Sequence, residues 1–381
     1  MTTTREAPAH VVHVLATKRH EAGGGGEHLL RIIPGLLPYG FRSTVVVGAE
    51  GPIARQFRDA RIPVVPLGPM GVGSPWRLRR ALSALRPDLL HLHGSRAGFL
   101  GVLTAPSGGA HPVIYTAHAF SFRRRLPPPL PWVLARMEAF ICGRAKRVIC
   151  LAAGDREEAR RHGIPMHRAI VIPNGVDASR FDASADRRGE FGFAPGDPVV
   201  GMVARLVPQK DPLTFLAVAR RLIEMEPGSR FLLVGDGPMR EHVARAARAL
   251  GLDGRLVITG FRADVPALLR TMDVVLLTSR WEGLPIALLE AMAAGRPAVA
   301  SRLPGTSEII VDGVTGFLVP PGDVEGFAGS VRKLLGDRAL RETLGRAGRE
   351  RVAREFSLAK TIEATAHVYA GALAASEASS E

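Results

Sequence analysis

The sequence has few of the features that stabilise small secreted proteins or span membranes. Its 381 residues include only two cysteines, Cys142 and Cys150, which are too far apart for a CxxC motif and too few for a disulfide framework. We therefore expect two free, buried thiols. No apolar run of about 18 residues is free of charge, and the first residues contain no apolar stretch of signal-peptide length. Together with the length, these absences predict a globular, cytoplasmic protein of two domains.

Acidic residues are scarce in the first half of the chain. Residues 1–180 contain 25 Lys and Arg against 11 Asp and Glu, whereas residues 181–381 contain 25 of each sign. The whole formal charge of +14 therefore lies in the first half. This asymmetry predicts that one domain faces an anionic partner, which could be nucleic acid, a membrane surface or a charged substrate. The alternative is an arginine-rich surface that is simply solvated.

Short apolar runs recur in both halves, and segments with helical spacing separate them. Nearly continuous runs such as VVHVLA and DVVLLTS are typical of buried parallel strands. Two such series predict an α/β protein with two doubly wound parallel sheets. We place the N-terminal domain at residues 1–185 and the second domain at residues 186–355. Residues 356–381 are predicted to form a final helix, ending near Leu373, and a disordered tail.

Two glutamates stand close together in the stretch SRWEGLPIALLEAMAAG, residues 279–295. Glu282 lies in a predicted loop after a strand, and Glu290 lies in the helix that Pro285 is expected to begin. Ligands of such sheets bind at the carboxyl ends of the strands, where the free amides near Ile286 to Leu288 can hold an anion. Carboxylates beside an anion site should bind hydroxyl groups, so we expect one acid for each of two sugars.

Cations follow another strand of the second half. In VARLVPQKDP, Arg205 comes just after the predicted strand, and Lys210 precedes Asp211 and Pro212, which predict the start of a helix. A guanidinium and an ammonium at one strand end suit a diphosphate, because Arg can bind two oxygens at once. Solvated surface cations are the alternative interpretation of this pair taken alone.

These motifs, in this order, resemble the retaining glycosyltransferases of family four along almost the whole chain. That family has the GT-B fold, in which two Rossmann-like domains flank an interdomain cleft. The resemblance rests on Arg205, Lys210, the spacing of Glu282 and Glu290, and the following segments: GGGGE at 23–27, YTAHAF with His118, VIPNGVD at 171–177, GDGP at 235–238, TGF at 259–261 and GTSEIIVDG after residue 304.

The resemblance implies a role for each matching residue. Arg205 and Lys210 would hold the donor diphosphate, Glu290 the ribose, and Glu282 the transferred sugar. His118 would bond the donor sugar near the reacting centre, and the final helix would return to pack on the first domain. With cations supplied by the protein, the resemblance implies that neither metal nor cofactor is needed. The main chain completes the donor site: a loop of Gly24, Gly25 and Gly26 by the phosphates; Gly260, Phe261 and Arg262 by the base; and Gly283, Leu284, Pro285 and Ile286 around the sugar and phosphates.

The function implied is transfer of a sugar from a nucleotide-sugar, expected to be a UDP-sugar, with retention of the anomeric configuration. The acceptor would be a glycan or polyprenyl-diphosphate-linked precursor of a cell-surface glycan. A nucleotide-sugar 2-epimerase of the same fold is one alternative, and a nucleic-acid-binding protein is another, although no strand interleaves basic and aromatic residues. A dinucleotide fingerprint fails because His28 stands where the last glycine is required. A hydrolase acid pair fails because a loop and its following helix do not flank one bond.

The stretch from Phe120 to Arg147 combines arginines with an apolar helix. Arg123, Arg124 and Arg125 precede a proline run and Trp132. Such a helix fits the interface of an anionic leaflet but is too short to span a bilayer. Packing of its apolar face on the first sheet is the alternative. The interfacial interpretation predicts a cytoplasmic protein in peripheral contact with the inner face of the cell membrane.

Overall fold

The computed structural model describes residues 7–16, 24–68, 73–105, 111–123, 126–182 and 185–377. These residues form two compact units. Unit 1 extends to Asn174 and resumes at Leu358, and unit 2 comprises Gly175–Ser357. Each unit has its own parallel sheet with helices on both faces. The predicted α/β class with two doubly wound sheets is confirmed.

The sheet of unit 1 has seven parallel strands in the order β3-β2-β1-β4-β5-β6-β7 among the described residues. The order reverses between β1 and β4, which is where ligands of such sheets bind. Valine, isoleucine and leucine dominate the strands because both faces of a parallel sheet are covered. The strands are β1 (Ala9–Leu15), β2 (Phe41–Val47), β3 (Val64–Pro66), β4 (Leu89–His93), β5 (Val113–Ala117), β6 (Arg147–Cys150) and β7 (Ala169–Val171).

Helices cover both faces of this sheet. They are α1 (Gly24–Leu36), α2 (Pro52–Asp59), α3 (Ser74–Leu85), α4 (Gly94–Thr104), α5 (Leu130–Arg144) and α6 (Ala153–Arg161), with short 3₁₀ turns at Leu37–Tyr39 and Ser121–Arg123. Helices α1 and α2 pack on one face of the sheet, with the C-terminal helix of the chain. The other face is covered by α3, α4, α5 and α6. Cys142 and Cys150 are buried free thiols in the second of these cores, as predicted.

Unit 2 has six parallel strands in the order β10-β9-β8-β11-β12-β13, with a reversal between β8 and β11. The strands are β8 (Val199–Val203), β9 (Arg230–Val234), β10 (Leu256–Gly260), β11 (Val274–Leu277), β12 (Ala298–Ser301) and β13 (Gly316–Val319). The helices are α7 (Pro212–Met225), α8 (Arg240–Ala249), α9 (Val265–Thr271), α10 (Ile286–Ala293), α11 (Pro304–Ile309), α12 (Val324–Gly336) and α13 (Arg338–Glu355). Short 3₁₀ turns at Ala178–Phe181 and Arg188–Phe191 precede β8.

The last helix, α14 (Leu358–Glu377), belongs to unit 1. It packs on α1, where a Cβ at Gly35 would lie 2.4 Å from Ile362 Cδ1. Its Tyr369 is fully buried in the core between the sheet of unit 1 and the helices α1, α2 and α14. The predicted disordered tail was placed too early, because α14 continues past Leu373 to Glu377; residues 378–381 lie outside the described residues. None of the helices in the described ranges has both the length and the hydrophobicity of a membrane-spanning segment.

Candidate active site

Lys210 and Glu282 meet at the carboxyl ends of β8 and β11, the two strands at the reversal of sheet order in unit 2. Lys210 lies in the loop from β8 to α7, and Glu282 lies in the loop from β11 to α10. The Lys210 ammonium donates to Glu282 Oε1 at 2.5 Å, and the side chains are 18% and 5% exposed. The sequence assigned these residues to different parts of the donor, and the structure joins them in one ion pair.

A second donor holds the same carboxylate oxygen. The Ser279 hydroxyl donates to Glu282 Oε1 at 2.6 Å, and Ser279 is fully buried. From the β8–α7 loop, the Gln209 amide donates to the Trp281 carbonyl at 3.0 Å. These bonds fix the carboxylate and its loop against the neighbouring loop, so Glu282 is placed before any ligand arrives.

Arg280 and Asp211 form a second ion pair between the same two loops. Arg280 binds both carboxylate oxygens of Asp211, at 2.9 and 3.2 Å, and Thr214 donates to Asp211 at 2.9 Å. Asp211 is the N-cap of α7, as predicted, in a left-handed conformation with φ 48°. The buried Thr278 hydroxyl donates to the Asp211 carbonyl at 3.0 Å and so supports that turn. Arg280 is thus committed to holding the β8–α7 turn.

Arg205 differs from its cationic neighbours. Its side chain is partly exposed in the β8–α7 loop. In the part of the chain that the structure describes, its guanidinium makes no hydrogen bond or ion pair, whereas Lys210 and Arg280 are both paired. A guanidinium that is partly withdrawn from water and has no protein partner is suited to binding an anion at this strand end.

The N-terminus of α10 presents further donors beside Glu282. Helix α10 begins at Ile286, with Pro285 as its N-cap, one residue later than predicted. The Leu288 amide already donates to the Pro285 carbonyl at 3.2 Å, so the free donors lie before Leu288 rather than including it. Glu290 is 7% exposed in the second turn of the helix. An anion at the helix start and a carboxylate one turn along are compatible with the predicted donor site.

Two glycine contacts hold the loops of this site together. A Cβ at Gly305, in the first turn of α11, would lie 1.5 Å from the Gly283 carbonyl oxygen. A Cβ at Gly235 would lie 1.9 Å from the Ala204 carbonyl oxygen, and Gly235 has φ 139°. Only glycine permits either approach. The loops after β8, β9, β11 and β12 are therefore packed backbone against backbone.

The end of β10 carries the segment assigned to the nucleobase. Gly260 has φ 75° and its carbonyl accepts from the Gly235 amide at 2.9 Å. Phe261 is 54% exposed. The Arg262 side chain turns to Asp264, at 2.7 Å, and to Glu190. Only the main chain at Arg262 is therefore free for a base, which is the part of the residue that the resemblance assigned.

In unit 1, a row of histidines lies at the reversal between β1 and β4; His13 and His93 are buried and His118 is half-buried. His13 Nδ1 lies 3.2 Å from His93 Nε2, and His93 Nδ1 lies 3.1 Å from His118 Nε2. At the other end, His13 Nε2 lies 3.2 Å from the Ser43 hydroxyl. Each neutral imidazole has one donor and one acceptor nitrogen, so the tautomers along this row are linked. His118 is therefore oriented by His93.

His91 completes the cluster from the same strand, β4. Its two ring nitrogens bond the Tyr369 hydroxyl at 2.6 Å and the Thr116 hydroxyl at 2.7 Å. Nitrogens of His13, His91 and His93 lie within 4.8 Å of one another, as ligands of one metal ion would. The hydroxyl partners of His91 and the His13–His93 bond satisfy these nitrogens without an ion, so hydrogen bonding accounts for the cluster.

Burial keeps the cluster neutral. It lowers the pKa of His13 to about 3 and that of His118 to about 3, and neighbouring His28 reinforces both shifts. Burial also lowers the pKa of His28 to about 4. The pKa values of His91 and His93 are lowered well below the ordinary value, again chiefly by burial. His118 therefore offers a neutral donor or acceptor at pH 7.

The glycines assigned to the phosphates lie in a helix. Gly24, Gly25 and Gly26 form the first turn of α1, so the predicted loop was wrong for these three residues. A Cβ at Gly25 would lie 3.2 Å from His118 Nε2. This close approach gives Gly25 a reason to lack a side chain, and it brings the start of α1 to His118.

Arg123 does not lie on the exposed basic surface that the sequence suggested for the arginine triplet. The Arg123 side chain is only 7% exposed and binds Asp155 at 2.7 Å and also Glu158, both on α6. Assigning Arg123 to an acceptor or membrane surface was therefore wrong, because two carboxylates already hold it. Arg124 and Arg125 lie outside the described residues. Trp132, in the first turn of α5, is 63% exposed.

The sequence matches two described families that together account for both units. Residues 22–180 match "Glycosyltransferase Family 4" and residues 184–351 match "Glycosyl transferases group 1". The chain is 32% identical over 302 residues to the Escherichia coli UDP-Gal:alpha-D-GlcNAc-diphosphoundecaprenol alpha-1,3-galactosyltransferase, a match that covers 77% of each chain. The chain belongs to the family 4 glycosyltransferases. A second relative, the putative glycosyltransferase EpsD of Bacillus subtilis, is 30% identical over 85% of this chain and 88% of its own.

Solved structures show the fold of this glycosyltransferase. The Anabaena protein Alr3699/HepE, in complex with UDP and glucose, superposes with a TM-score of 0.83 at 22% identity, covering 95% of this chain and all of that one. WaaG, a glycosyltransferase involved in lipopolysaccharide biosynthesis, gives a TM-score of 0.76 at 17% identity, covering 95% of this chain and 100% of its own. The predicted GT-B fold is confirmed.

Several residues of the glycosyltransferase site were not found from the sequence. Ser279, Gln209 and Gly305 hold the Glu282 loop, and His13 bonds His93, which in turn holds His118. Ser279 stood in the quoted motif, three residues before Glu282, and its role could have been suspected from that spacing. The His13–His93 contact joins residues 80 positions apart, and no local signal predicts it.

Proposed function

We propose that this glycosyltransferase transfers a sugar from a UDP-sugar to a lipid-linked diphosphate acceptor and retains the anomeric configuration. The observation that carries the proposal is the contrast among the cations of unit 2. Arg205 has no partner among the described residues, while Lys210 is paired with Glu282 beside the start of α10. These cations and this carboxylate together suit an anionic ligand that has hydroxyl groups next to its charge. The diphosphate and sugar of a nucleotide-sugar have that composition.

The donor diphosphate is proposed to bind Arg205, Lys210 and the free amides at the start of α10. Lys210 has three N–H donors, so it can keep its bond to Glu282 and add one to a phosphate oxygen. These groups stabilise the charge that develops on the leaving diphosphate, which is the largest electrostatic demand of the reaction. No step in this scheme requires a metal ion.

Glu282 is proposed to bind hydroxyls of the transferred sugar, and Glu290 those of the ribose. The Oε1 atom of Glu282 already accepts from Lys210 and Ser279, and both bonds lower its nucleophilicity. A covalent glycosyl intermediate on Glu282 is therefore disfavoured. We accordingly propose that the acceptor attacks from the face that the diphosphate leaves, which preserves the configuration.

His118 is proposed to bond a hydroxyl of the donor sugar. Its ring is neutral and held by His93, so it can orient a hydroxyl without attracting the diphosphate. The main chain from Gly260 to Arg262 is proposed to bind the base, with the exposed Phe261 beside it. The acceptor class is supported by the Escherichia coli relative, whose name specifies UDP-galactose and an undecaprenol diphosphate acceptor.

Nucleotide binding to Arg205→Ala tests the proposal. We expect UDP affinity to fall by roughly 1.5–3 kcal/mol, the value of a hydrogen bond to a charged group, because this variant removes a cation and leaves no protein carboxylate unpaired. Arg248→Ala, an exposed arginine on α8, is the matched control and should bind UDP like the parent. Isothermal titration gives the affinities.

Lys210→Ala is a less clear test, because it also leaves the buried Glu282 carboxylate without its cation. Equal UDP affinity in the parent and in Arg205→Ala would refute the assignment of the diphosphate site. Conversion of a UDP-sugar without any acceptor would favour the epimerase alternative.

A further inference from the structure

We propose that the outer surface of α3, α4 and α5 docks this enzyme on an anionic lipid surface. The inference deepens the proposed function, since a lipid-linked acceptor is presented at such a surface. It does not depend on Arg123, which is buried. We call the outer surface of these three adjacent helices the α3–α5 face.

The α3–α5 face exposes no carboxylate from its own helices. Residues 62–154 contain twelve Lys and Arg but only two acids, Asp88 and Glu138. Glu138 is the sole acid within α3, α4 and α5, and it is fully buried. It accepts hydrogen bonds from the Tyr115 hydroxyl at 2.8 Å and the Ser121 hydroxyl at 2.7 Å. Asp88 precedes β4 and accepts from the His10 amide at 2.7 Å.

The exposed arginines of the α3–α5 face have no acidic partners among the described residues. Five are exposed, and none makes an ion pair within the described part of the chain: Arg79, Arg80, Arg96, Arg136 and Arg144. Some exposed arginines elsewhere are paired, such as Arg58 with Glu50 and Arg338 with Glu342 at 2.8 Å. The five unpaired charges on one side of unit 1 produce a positive potential that the protein itself does not neutralise.

Large apolar side chains lie among these arginines. Each helix contributes some of them: Trp76 on α3; Phe99 and Leu103 on α4; Leu130, Trp132 and Val133 on α5. Trp76 is 67% exposed and Trp132 is 63% exposed. The rings of Phe99 and Phe140 lie 6.0 Å apart and join α4 to α5. The Arg136 guanidinium lies 5.2 Å from the centre of the Trp132 ring, so charge and aromatic surface alternate.

This composition favours a lipid surface over nucleic acid. Tryptophan at a membrane interface is stabilised because its ring is apolar and its N–H remains hydrated, and leucine and valine insert beside it. Arginine binds the anionic headgroups at the same depth. A nucleic-acid backbone would engage the arginines but would leave Leu103, Leu130 and Val133 exposed to water.

The face is connected to His118 through the buried carboxylate. Glu138 on α5 accepts from both the amide, at 3.1 Å, and the hydroxyl of Ser121, three residues after His118. Arg123 then ties the same segment to α6. The helix that bears Trp132 therefore also fixes the segment that carries His118.

Co-sedimentation of the full chain with vesicles tests the proposal without any substrate. The parent should bind phosphatidylglycerol vesicles at low salt and bind phosphatidylcholine vesicles much less. Changing the five unpaired arginines to serine should weaken binding at least 100-fold, since each basic residue near an anionic leaflet contributes roughly a fivefold factor. The charge-matched control changes five exposed arginines of unit 2 to serine and should bind like the parent: Arg220, Arg245, Arg248, Arg332 and Arg338.

An apolar pair separates insertion from simple charge attraction. Trp76→Ser with Trp132→Ser should weaken vesicle binding at least tenfold, whereas Leu37→Ser with Tyr39→Ser, which are 58% and 48% exposed outside the α3–α5 face, should not. A parent protein that stays in the supernatant with anionic vesicles at low salt would overturn the proposal. Equal losses of vesicle binding in the α3–α5 face variants and in their controls would also overturn it. Displacement of the vesicles by duplex DNA at equal phosphate concentration would overturn it as well. Because UDP affinity is measured separately, failure here is distinguishable from failure of the proposed donor site.

Discussion

Acidification from pH 7 to pH 5 should destabilise unit 1 selectively. Burial lowers the pKa of His13 to about 3 and that of His28 to about 4, from an ordinary value of 6.5. Unfolding exposes both rings to water, where they bind protons readily below pH 6.5. Between the folded and unfolded pKa values, the unfolded chain therefore holds more protons, and stability falls as the pH falls.

The size of the effect follows from these pKa values. Above pH 6.5 both rings are neutral in either state, and their contribution to stability is complete. At pH 5 each ring lowers the free energy of unfolding by about 2 kcal/mol, because each of the 1.5 pH units below 6.5 contributes roughly 1.4 kcal/mol. The two rings together lower it by about 4 kcal/mol. His91 and His93 shift in the same direction and add to the loss. A typical domain is stable by only about 5–15 kcal/mol.

Hydrogen–deuterium exchange locates the loss within the full chain. Peptides covering β1, β4 and β5 should show opening free energies several kcal/mol lower at pH 5 than at pH 7, after correction for intrinsic exchange rates. Peptides covering β8 and β11 serve as the internal reference. His13→Asn should remove about 2 kcal/mol of the pH dependence, and His242→Asn, at an exposed histidine, should remove none. Equal opening free energies of β1 at the two pH values would refute the reasoning.

Two further predictions separate roles within the site. Glu290→Gln should weaken UDP and UDP-sugar binding alike, whereas Glu282→Gln should spare UDP and lower turnover; identical titration profiles for the two variants would contradict this division. At position 93, an asparagine amide would occupy the place of the histidine Nδ1, which bonds His118, and a glutamine amide would occupy the place of Nε2. His93→Asn should therefore preserve the bond to His118 and keep most activity. His93→Gln should lose that bond, and kcat should fall at least tenfold. If the two His93 variants have equal kcat and equal imidazole ¹⁵N shifts for His118, then His93 does not orient that ring.

The strands and the loops that carry the candidate site residues were predictable because they depend on local patterns. Continuous apolar runs identify buried parallel strands wherever they occur. Motifs that directly follow such runs must lie at one edge of the sheet, which places Arg205, Lys210 and Glu282 together. The pairing within that edge was not predictable. The cation that pairs with Glu282 is decided by the paths of the two loops, because Lys210 and Glu282 are 72 positions apart in the sequence.

The wrong predictions concern residues whose partners are distant or whose propensity is weak. Arg123 appeared to belong to an exposed triplet, but its partner Asp155 comes from a helix that follows the next strand. Glycine disfavours a helix by about 1 kcal/mol relative to alanine, so Gly24 to Gly26 suggested a loop. Packing of α1 on the sheet and on His118 overrides that local preference.

The charge distribution suggests a division of tasks between the two units. In unit 2, the groups proposed to bind the donor are ionic, and its one unpaired guanidinium at the β8–α7 loop, Arg205, is available for the diphosphate among the described residues. In unit 1, the groups around His118 are neutral, because burial disfavours the imidazolium form. A charged histidine at the position of His118 would attract a diphosphate, whereas a neutral histidine does not. In the proposed function, a neutral His118 orients sugar hydroxyls through hydrogen bonds alone, and the cations proposed to stabilise the leaving group all belong to unit 2.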